Sequence, residues 1–325
     1  EYENWVNQQG KNRYILTIIG RSLSAENIEA TTRVIAVQGM NIDSIVRLTG
    51  RQSIKRESHN VRACIEFSLR GTPNDHVQMQ ADLMKMSQEQ GIDFSLQKDN
   101  MYRRMRRLIC FDMDSPLIQT ECIDELAKRA GVGNEVKRIT ERAMRGEIDF
   151  KESFKERVAL LKGLDASVMQ DIADSFPITE GVDRLMMVLK NCGYKIAILS
   201  GGFTFFGEFL QRRYNIDYVY ANELEIDENN KLTGNFVGDI VDGRRKAELL
   251  KLIAQVEKVN LEQTIAVGDG ANDLPMLAEA GLGIAFHAKP RVRENAEQNI
   301  STIGLDGVLY FLGFKDSYLG EAGKL

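Results

Sequence analysis

The sequence predicts an α/β protein: a doubly wound, Rossmann-like parallel sheet carrying a helical insertion, preceded by a smaller ferredoxin-like βαββαβ block. Three observations lead there. Four short, nearly continuous apolar runs, LICFD at 108–112, YKIAILSGG at 194–202, QTIAVGDG at 263–270 and GLGIAF at 281–286, alternate with helical stretches, as strands buried on both faces do. Polar residues cluster at the carboxyl ends of three of these runs, where ligands collect in such sheets. Upstream, 13–100 carries period-two alternation around two amphipathic stretches.

In chain order, residues 1–12 read as a linker remnant, since the chain starts at Glu1 without Met. RYILTIIG is an apolar strand ending on Gly20. SAENIEATTRVIAVQG is a helix with Ser24 as N-cap and Gly39 after its end. MNIDSIVRLTG and VRACIEFSLRG are half-buried strands. NDHVQMQADLMKMSQEQG is a helix with Val77, Leu83 and Met84 on its apolar side, and IDFSLQKD is a fourth strand. The blocks expected are 1–100, then 101–119 with 186–325 as the larger α/β core, and 120–185 as the helical insertion. After the second core strand, VYANELEID and KLTGNFVGDIV flank ENN and read as a β-hairpin placed to cover the crevice.

Composition narrows the function. With 43% hydrophobic and 27% charged residues and a net charge of −5, the chain has the make-up of a soluble globular protein and no global field for nucleic acid or an anionic membrane. The basic run RRMRR at 103–107 reads as a solvated junction. Cys64, Cys110, Cys122 and Cys192 form no CxxC pair, so neither zinc nor a disulfide framework is expected, and reduced thiols fit a cytoplasmic protein. No apolar run approaches the roughly 20 residues of a membrane helix. His59, His76 and His287 show no ligand spacing.

The chemistry sits in FDMDS. Asp112 and Asp114 after a buried strand would alone suit an Asx-turn or a helix cap. They are followed in order by SGG at 200–202, Lys246 opening KAELLKLI, and GDGANDLPM at 268–276. Together these resemble the four motifs of the haloacid dehalogenase-like phosphatases. The resemblance implies Asp112 as a nucleophile that becomes phosphorylated and Asp114 as general acid and base. It implies Ser200 as a donor to the phosphoryl oxygens and Lys246 as their counter-charge. It also implies Mg²⁺ held by the Asp112 carboxylate, the Asp114 carbonyl and Asp269, with Asp273 as a further ligand or an anchor behind it. Gly201, like Gly202, Gly268 and Gly270, lets backbone approach the ligand, and Asn272 is placed to donate to substrate or to neighbouring carboxylates.

ECIDELA, ITERAMRGEIDF, RVALLKGL, ILSGGF and KLTG extend the resemblance to the phosphoserine phosphatase family over 108–300. The resemblance implies Glu121 for the ammonium of phosphoserine, Arg157 for its carboxylate, and Met144 with Phe150 as an apolar wall. Without it, Glu121 reads as a first-turn helix acid, Arg157 as a solvated helix residue, and the other two as core. The first block resembles an ACT domain, which implies an amino-acid effector site or a dimerisation role, with a homodimer as the expected assembly. The chain departs from the family at Pro116, where Thr or Val is usual. Pro116 lacks an N–H and restricts Ser115.

Overall fold

The computed structural model describes residues 12–50 and 62–320; the expected linker segment, Asn12 apart, and His59 lie outside these. The chain packs as two compact units. The first draws on the residues up to Arg106, on Glu180–Cys192 and on Ile284 onward; the second is Arg107–Thr179 with Gly193–Gly283.

The first unit begins with β1 (Arg13–Gly20), α1 (Ala25–Val37), β2 (Asn41–Arg47), β3 (Ala63–Arg70), α2 (His76–Gln90) and β4 (Asp93–Lys98). The strands form an antiparallel sheet in the order β2-β3-β1-β4, the ferredoxin-like arrangement expected. Ser24 and Asn27 form a capping box at the start of α1, and Gly91 ends α2 at φ 63°, in the left-handed region glycine tolerates. Leu16, Ile18, Phe67, Leu83 and Phe94 make the core between sheet and helices. Val77 does not join it: it is 79% exposed, and the buried positions of α2 are Met79, Leu83, Met86 and Ser87. Helical spacing from Leu83 reaches back to Met79, and Val77 falls off that stripe.

The basic run is not a solvated junction throughout. Arg103, in α3 (Met101–Arg104), is buried and donates to Glu66 Oε2 at 2.7 Å, and buried Arg106 donates to Gln97 Oε1 at 2.9 Å. A guanidinium tolerates burial when its N–H groups are paired. Arg104 and Arg107 remain exposed.

The second unit opens with β5 (Leu108–Phe111) and a helical insertion of α4 (Cys122–Ala130), α5 (Gly133–Met144), α6 (Phe150–Ala159) and α7 (Val168–Ser175). After α8 (Val182–Asn191), which belongs to the first unit, it resumes with β6 (Lys195–Phe203), α9 (Thr204–Tyr214), β7 (Tyr218–Ile226), β8 (Leu232–Val237), α10 (Gly243–Val256), β9 (Thr264–Gly268) and α11 (Leu274–Glu279). Its strands lie in the order β9-β5-β6-β7-β8, parallel except for β8. Ile109, Phe111, Ile196, Ile198, Ile265 and Val267 are fully buried, as strands covered on both faces require. Helices α9 and α10 pack on β6, and α11 packs on β9.

The hairpin forms, but its first strand lies in the sheet. Tyr218–Tyr220 pair in parallel with Ala197–Leu199, and β8 closes the edge antiparallel to β7. A free edge at β6 would leave its N–H and C=O groups unpaired, and β7 satisfies them. Phe236 of β8 meets Phe154 of α6 edge-on at 5.4 Å, so the insertion rests on the hairpin.

β10 (Leu282–Phe286), α12 (Pro290–Asn295), β11 (Gln298–Ile300) and α13 (Gly307–Phe311) follow, with β10 and β11 paired in parallel at Ile284–Phe286 in the first unit. Fully buried Asp93 accepts from the backbone N–H and the hydroxyl of both Ser301 and Thr302, tying β4 to the end of β11. The described cysteines are all free thiols. No helix among the described residues is long and apolar enough to cross a membrane.

Candidate active site

Strand register assembles the site. Phe111 of β5 lies level with Ile198 of β6 and Val267 of β9, so the three strands end at one height. Asp112, Ser200 and Asp269 leave the sheet within two residues of that level. Asp112 N–H donates to the Val267 carbonyl at 2.9 Å, which extends the ladder through the first aspartate.

Lys246 is wholly buried and sits between two carboxylates. Its Nζ lies 2.9 Å from Asp112 Oδ2 and 2.7 Å from Asp273 Oδ1. It belongs to the first turn of α10 but does not open it: the helix starts at Gly243, with Asp242 as N-cap accepting from Arg245 N–H at 2.8 Å. Asp273 Oδ2 accepts from the N–H groups of Asp269 and Gly270, at 3.1 and 2.9 Å, and so shapes the GDG turn. A Cβ on Gly268 would run into the Asp273 side chain, which is why glycine stands there.

Asp112, Asp269 and Asp273 each offer a buried carboxylate oxygen, all within 4.8 Å of one another. Three carboxylates face one ammonium, and the imbalance registers on Asp112. Burial pushes its carboxyl up to about 7, Asp273 adds to the push, and Lys246 opposes it. Burial alone would lower Lys246, yet Asp112 and Asp273 hold it above its usual range. A hard oxygen-donor set with excess negative charge fits a metal ion.

Asp114 lies beside this cluster. Its Oδ2 accepts from Cys122 N–H at the start of α4, at 3.2 Å, while its buried Oδ1 has no hydrogen-bond partner. Burial first, then the charges of Glu121 and Asp112, raise it well above the usual carboxylate range. A carboxyl whose burial favours its protonated form, with one oxygen uncommitted, is suited to deliver a proton. Ser200 is buried, and its Oγ accepts from Gly202 N–H at 2.9 Å, leaving its own O–H to donate. A Cβ on Gly202 would meet Met113 Cε at 2.9 Å, Ser200 Oγ at 3.2 Å and Asp114 Oδ2 at 3.3 Å, so this glycine keeps the three groups close.

The insertion contributes unevenly. Phe150 reaches the site: a Cβ on Gly201 would lie 2.9 Å from its Cζ. Lys151 pairs with Asp242 at 3.1 Å, so the start of α6 is tied to the start of α10. Arg157 is half-buried, its Nε donating to the Ser153 carbonyl at 3.2 Å, and it lies within the fields of Asp124, Glu121 and Asp114. Glu121 is the exposed N-cap of α4, without a capping bond from its side chain. Met144, at the end of α5, is 69% exposed and forms no buried wall here. Asn272 folds back over Gly270, whose Cβ would collide with the Asn272 amide oxygen.

Loop 113–119 carries the departure at Pro116. Ser115 adopts φ 78°, unusual for a residue with a Cβ, and its N–H donates to the Ile118 carbonyl at 2.8 Å. Thr179, not singled out from sequence, braces the loop: its Oγ1 donates to Ser115 O at 3.3 Å and its N–H to Leu117 O at 3.0 Å. With the loop held this way, Pro116→Thr should leave turnover at or above the parent's level. Steady-state phosphate release checks this, and a fall of about tenfold or more, near 1.4 kcal/mol of barrier, would contradict it. A second residue the sequence did not mark is Asn222, a buried polar residue in the middle of β7; the one trace of it is an Asn inside an alternating run.

A Rossmann-like sheet with this carboxylate and lysine constellation at its strand ends, roofed by a helical insertion, defines a haloacid dehalogenase-like hydrolase. The model of that family matches residues 106–281, and the chain belongs to it. The chain is 42% identical over 317 residues to the phosphoserine phosphatase of Streptomyces coelicolor, covering 98% of this chain and 74% of that protein. It is 46% identical over 244 residues to the phosphoserine phosphatase of Archaeoglobus fulgidus, covering 75% and 71%. The structure of a probable phosphoserine phosphatase from Vibrio cholerae, in unliganded form, superposes with a TM-score of 0.70 at 33% identity, over 95% of this chain and 88% of that one. Within the hydrolase family, the chain is a phosphoric monoester hydrolase of the phosphoserine phosphatase group.

Proposed function

We infer that the protein hydrolyses O-phospho-L-serine to serine and inorganic phosphate through an aspartyl-phosphate on Asp112, completing serine synthesis in the cytoplasm. The observation that carries this is the buried Asp112–Lys246–Asp273 cluster at the strand ends, with the uncommitted oxygen of Asp114 beside it. An oxygen of Asp112 attacks phosphorus in line, and the bond from phosphorus to the serine oxygen breaks. Asp114 gives its proton to that oxygen, so serine departs as the neutral alcohol. Water then attacks phosphorus, Asp114 takes its proton, and the bond to Asp112 breaks, restoring both carboxyl groups. Lys246 offsets charge on Asp112, and the Ser200 hydroxyl and nearby backbone N–H groups orient the phosphoryl oxygens. Asp112, the Asp114 carbonyl and Asp269, with Asp273 as a further ligand or an anchor, would hold Mg²⁺, which would supply charge neutralisation to the phosphate.

Arg157 and Glu121 take the substrate's carboxylate and ammonium, with Phe150 excluding water above Gly201. The test is phosphate release from a panel of phosphoserine, phosphohomoserine, phosphoethanolamine and sugar phosphates, with and without Mg²⁺. Phosphoserine with Mg²⁺ should lead, and preference for another ester would overturn the substrate. Arg157→Lys should cut kcat/KM for phosphoserine about 100-fold, since lysine cannot grip a carboxylate bidentately. It should leave phosphoethanolamine, which has no carboxylate, within about threefold. Equal losses on both would place Arg157 outside the carboxylate subsite.

The ferredoxin-like sheet is read as an ACT-like regulatory and dimerisation module. A cavity of about 400 Å³ beside its β1–α1 turn, lined by Arg21, Ser22, Glu26, Asn27 and Gln90 among others, offers the mixed charges an amino-acid effector needs. Serine added to the same assay tests the effector.

A further inference from the structure

We propose that Asn222 is a positioning residue for the reaction, fixing the loop that carries Ser200 and the segment that leads to Lys246 as one rigid piece. The need for it arises in the sheet. β6 and β7 pair regularly up to Leu199 and Tyr220, and the next paired residues are Phe203 and Asn222. Three residues of β6, Ser200 to Gly202, therefore stand against one of β7. That excess pushes the SGG segment out of the ladder toward the site and strips its carbonyls of strand partners. A partly buried carbonyl left without a partner is costly, and its direction is not otherwise held.

Asn222 replaces the missing partners. Its side chain is 1% exposed, and its Nδ2 donates to the carbonyl of Gly201 at 2.8 Å and to that of Gly202 at 3.2 Å. Its Oδ1 accepts from Val241 N–H at 2.8 Å, immediately before the Asp242 cap of α10. One amide thus joins the backbone that presents Ser200 to the backbone that aims Lys246. The first group addresses the phosphoryl oxygens and the second holds the nucleophile. Only a side chain with two donors and an acceptor at this length satisfies all three partners. The Asn222 amide bonds backbone groups of the two loops and acts through the geometry of both.

The proposal rests on the phosphatase reading, and the experiment separates the two. Phosphoserine hydrolysis by the unaltered protein tests the reading. Asn222→Asp and Asn222→Ser test the inference by kcat, KM, competitive inhibition by inorganic phosphate, and melting temperature. Asn222→Asp keeps shape and the acceptor for Val241 but turns a carboxylate oxygen toward two carbonyls. We expect kcat to fall about 10- to 100-fold in both variants and phosphate inhibition to weaken about tenfold, with KM within about threefold. Wild-type kcat and phosphate inhibition per folded molecule, at whatever melting temperature, would overturn the proposal, as would failure of both variants to fold, which would make Asn222 a core residue only. Inactivity of the unaltered protein would instead remove the phosphatase reading.

Discussion

Asp112→Asn abolishes turnover: kcat for phosphate release falls by about 10⁴-fold or more, the scale seen when a covalent nucleophile is removed. The amide cannot attack phosphorus, and no other described carboxylate occupies its place at the end of β5 beside Lys246. The fold should survive the change, because Lys246 keeps its second partner Asp273 and burial already disfavours the charged form of Asp112. Its folded-state pKa of about 7 stands above the ordinary 3.8, chiefly through burial. The sign follows from linkage. A raised carboxyl favours the fold in its protonated form, so its stabilisation is complete below pH about 4 and is lost as pH rises through about 7. Without divalent cations, the parent's melting temperature should therefore drop across that window more than the variant's. Mg²⁺ should restore the parent at high pH by balancing the cluster. Residual activity above about 1% of the parent's, or identical pH profiles for the two metal-free proteins, would refute the assignment of Asp112.

Lys246→Met should destabilise the protein by about 3–5 kcal/mol as well as inactivate it, because it removes the one cation between two buried carboxylates. Methionine fills the space of the lysine stem but leaves Asp112 and Asp273 facing each other without their ammonium. Asp273 also holds the Asp269 and Gly270 N–H groups, so the loss spreads into the GDG turn. Chemical denaturation with and without Mg²⁺ measures the effect, and saturating Mg²⁺ should recover part of the stability but not the turnover. A stable variant, or one with near-normal kcat, would show that Lys246 is not the charge partner of the nucleophile.

The insertion tempers how far local sequence can be read. Phe150 and Met144 were expected as one apolar wall, and only Phe150 meets the site, over Gly201. Met144 closes α5 and Phe150 opens α6, and the periodicity of neither helix says which end faces the strand edge. Val77 and the arginines at 103 and 106 make the same point in the first unit. Helical periodicity alone places Val77 on the apolar side and the charge run alone places Arg103 in solvent; packing and pairing reverse both.

What the amino-acid order determined by itself was the set of strands buried on both faces, the polar residues at their carboxyl ends, the βαββαβ block and the motif residues Asp112, Asp114, Ser200, Lys246, Asp269 and Asp273. The strands and the polar residues at their ends are legible because hydrophobic periodicity and turn chemistry act over a few residues, whereas Lys246, on a helix, is marked only by the resemblance of the ordered motifs to the family's. Only the tertiary structure decided that the hairpin's first strand joins the sheet, that Thr179 braces the nucleophile loop, and that Asn222 holds the SGG carbonyls and Val241 together. Those outcomes depend on which backbone groups are left unpaired when strands align. That demand for hydrogen-bond partners exists only once distant segments have met.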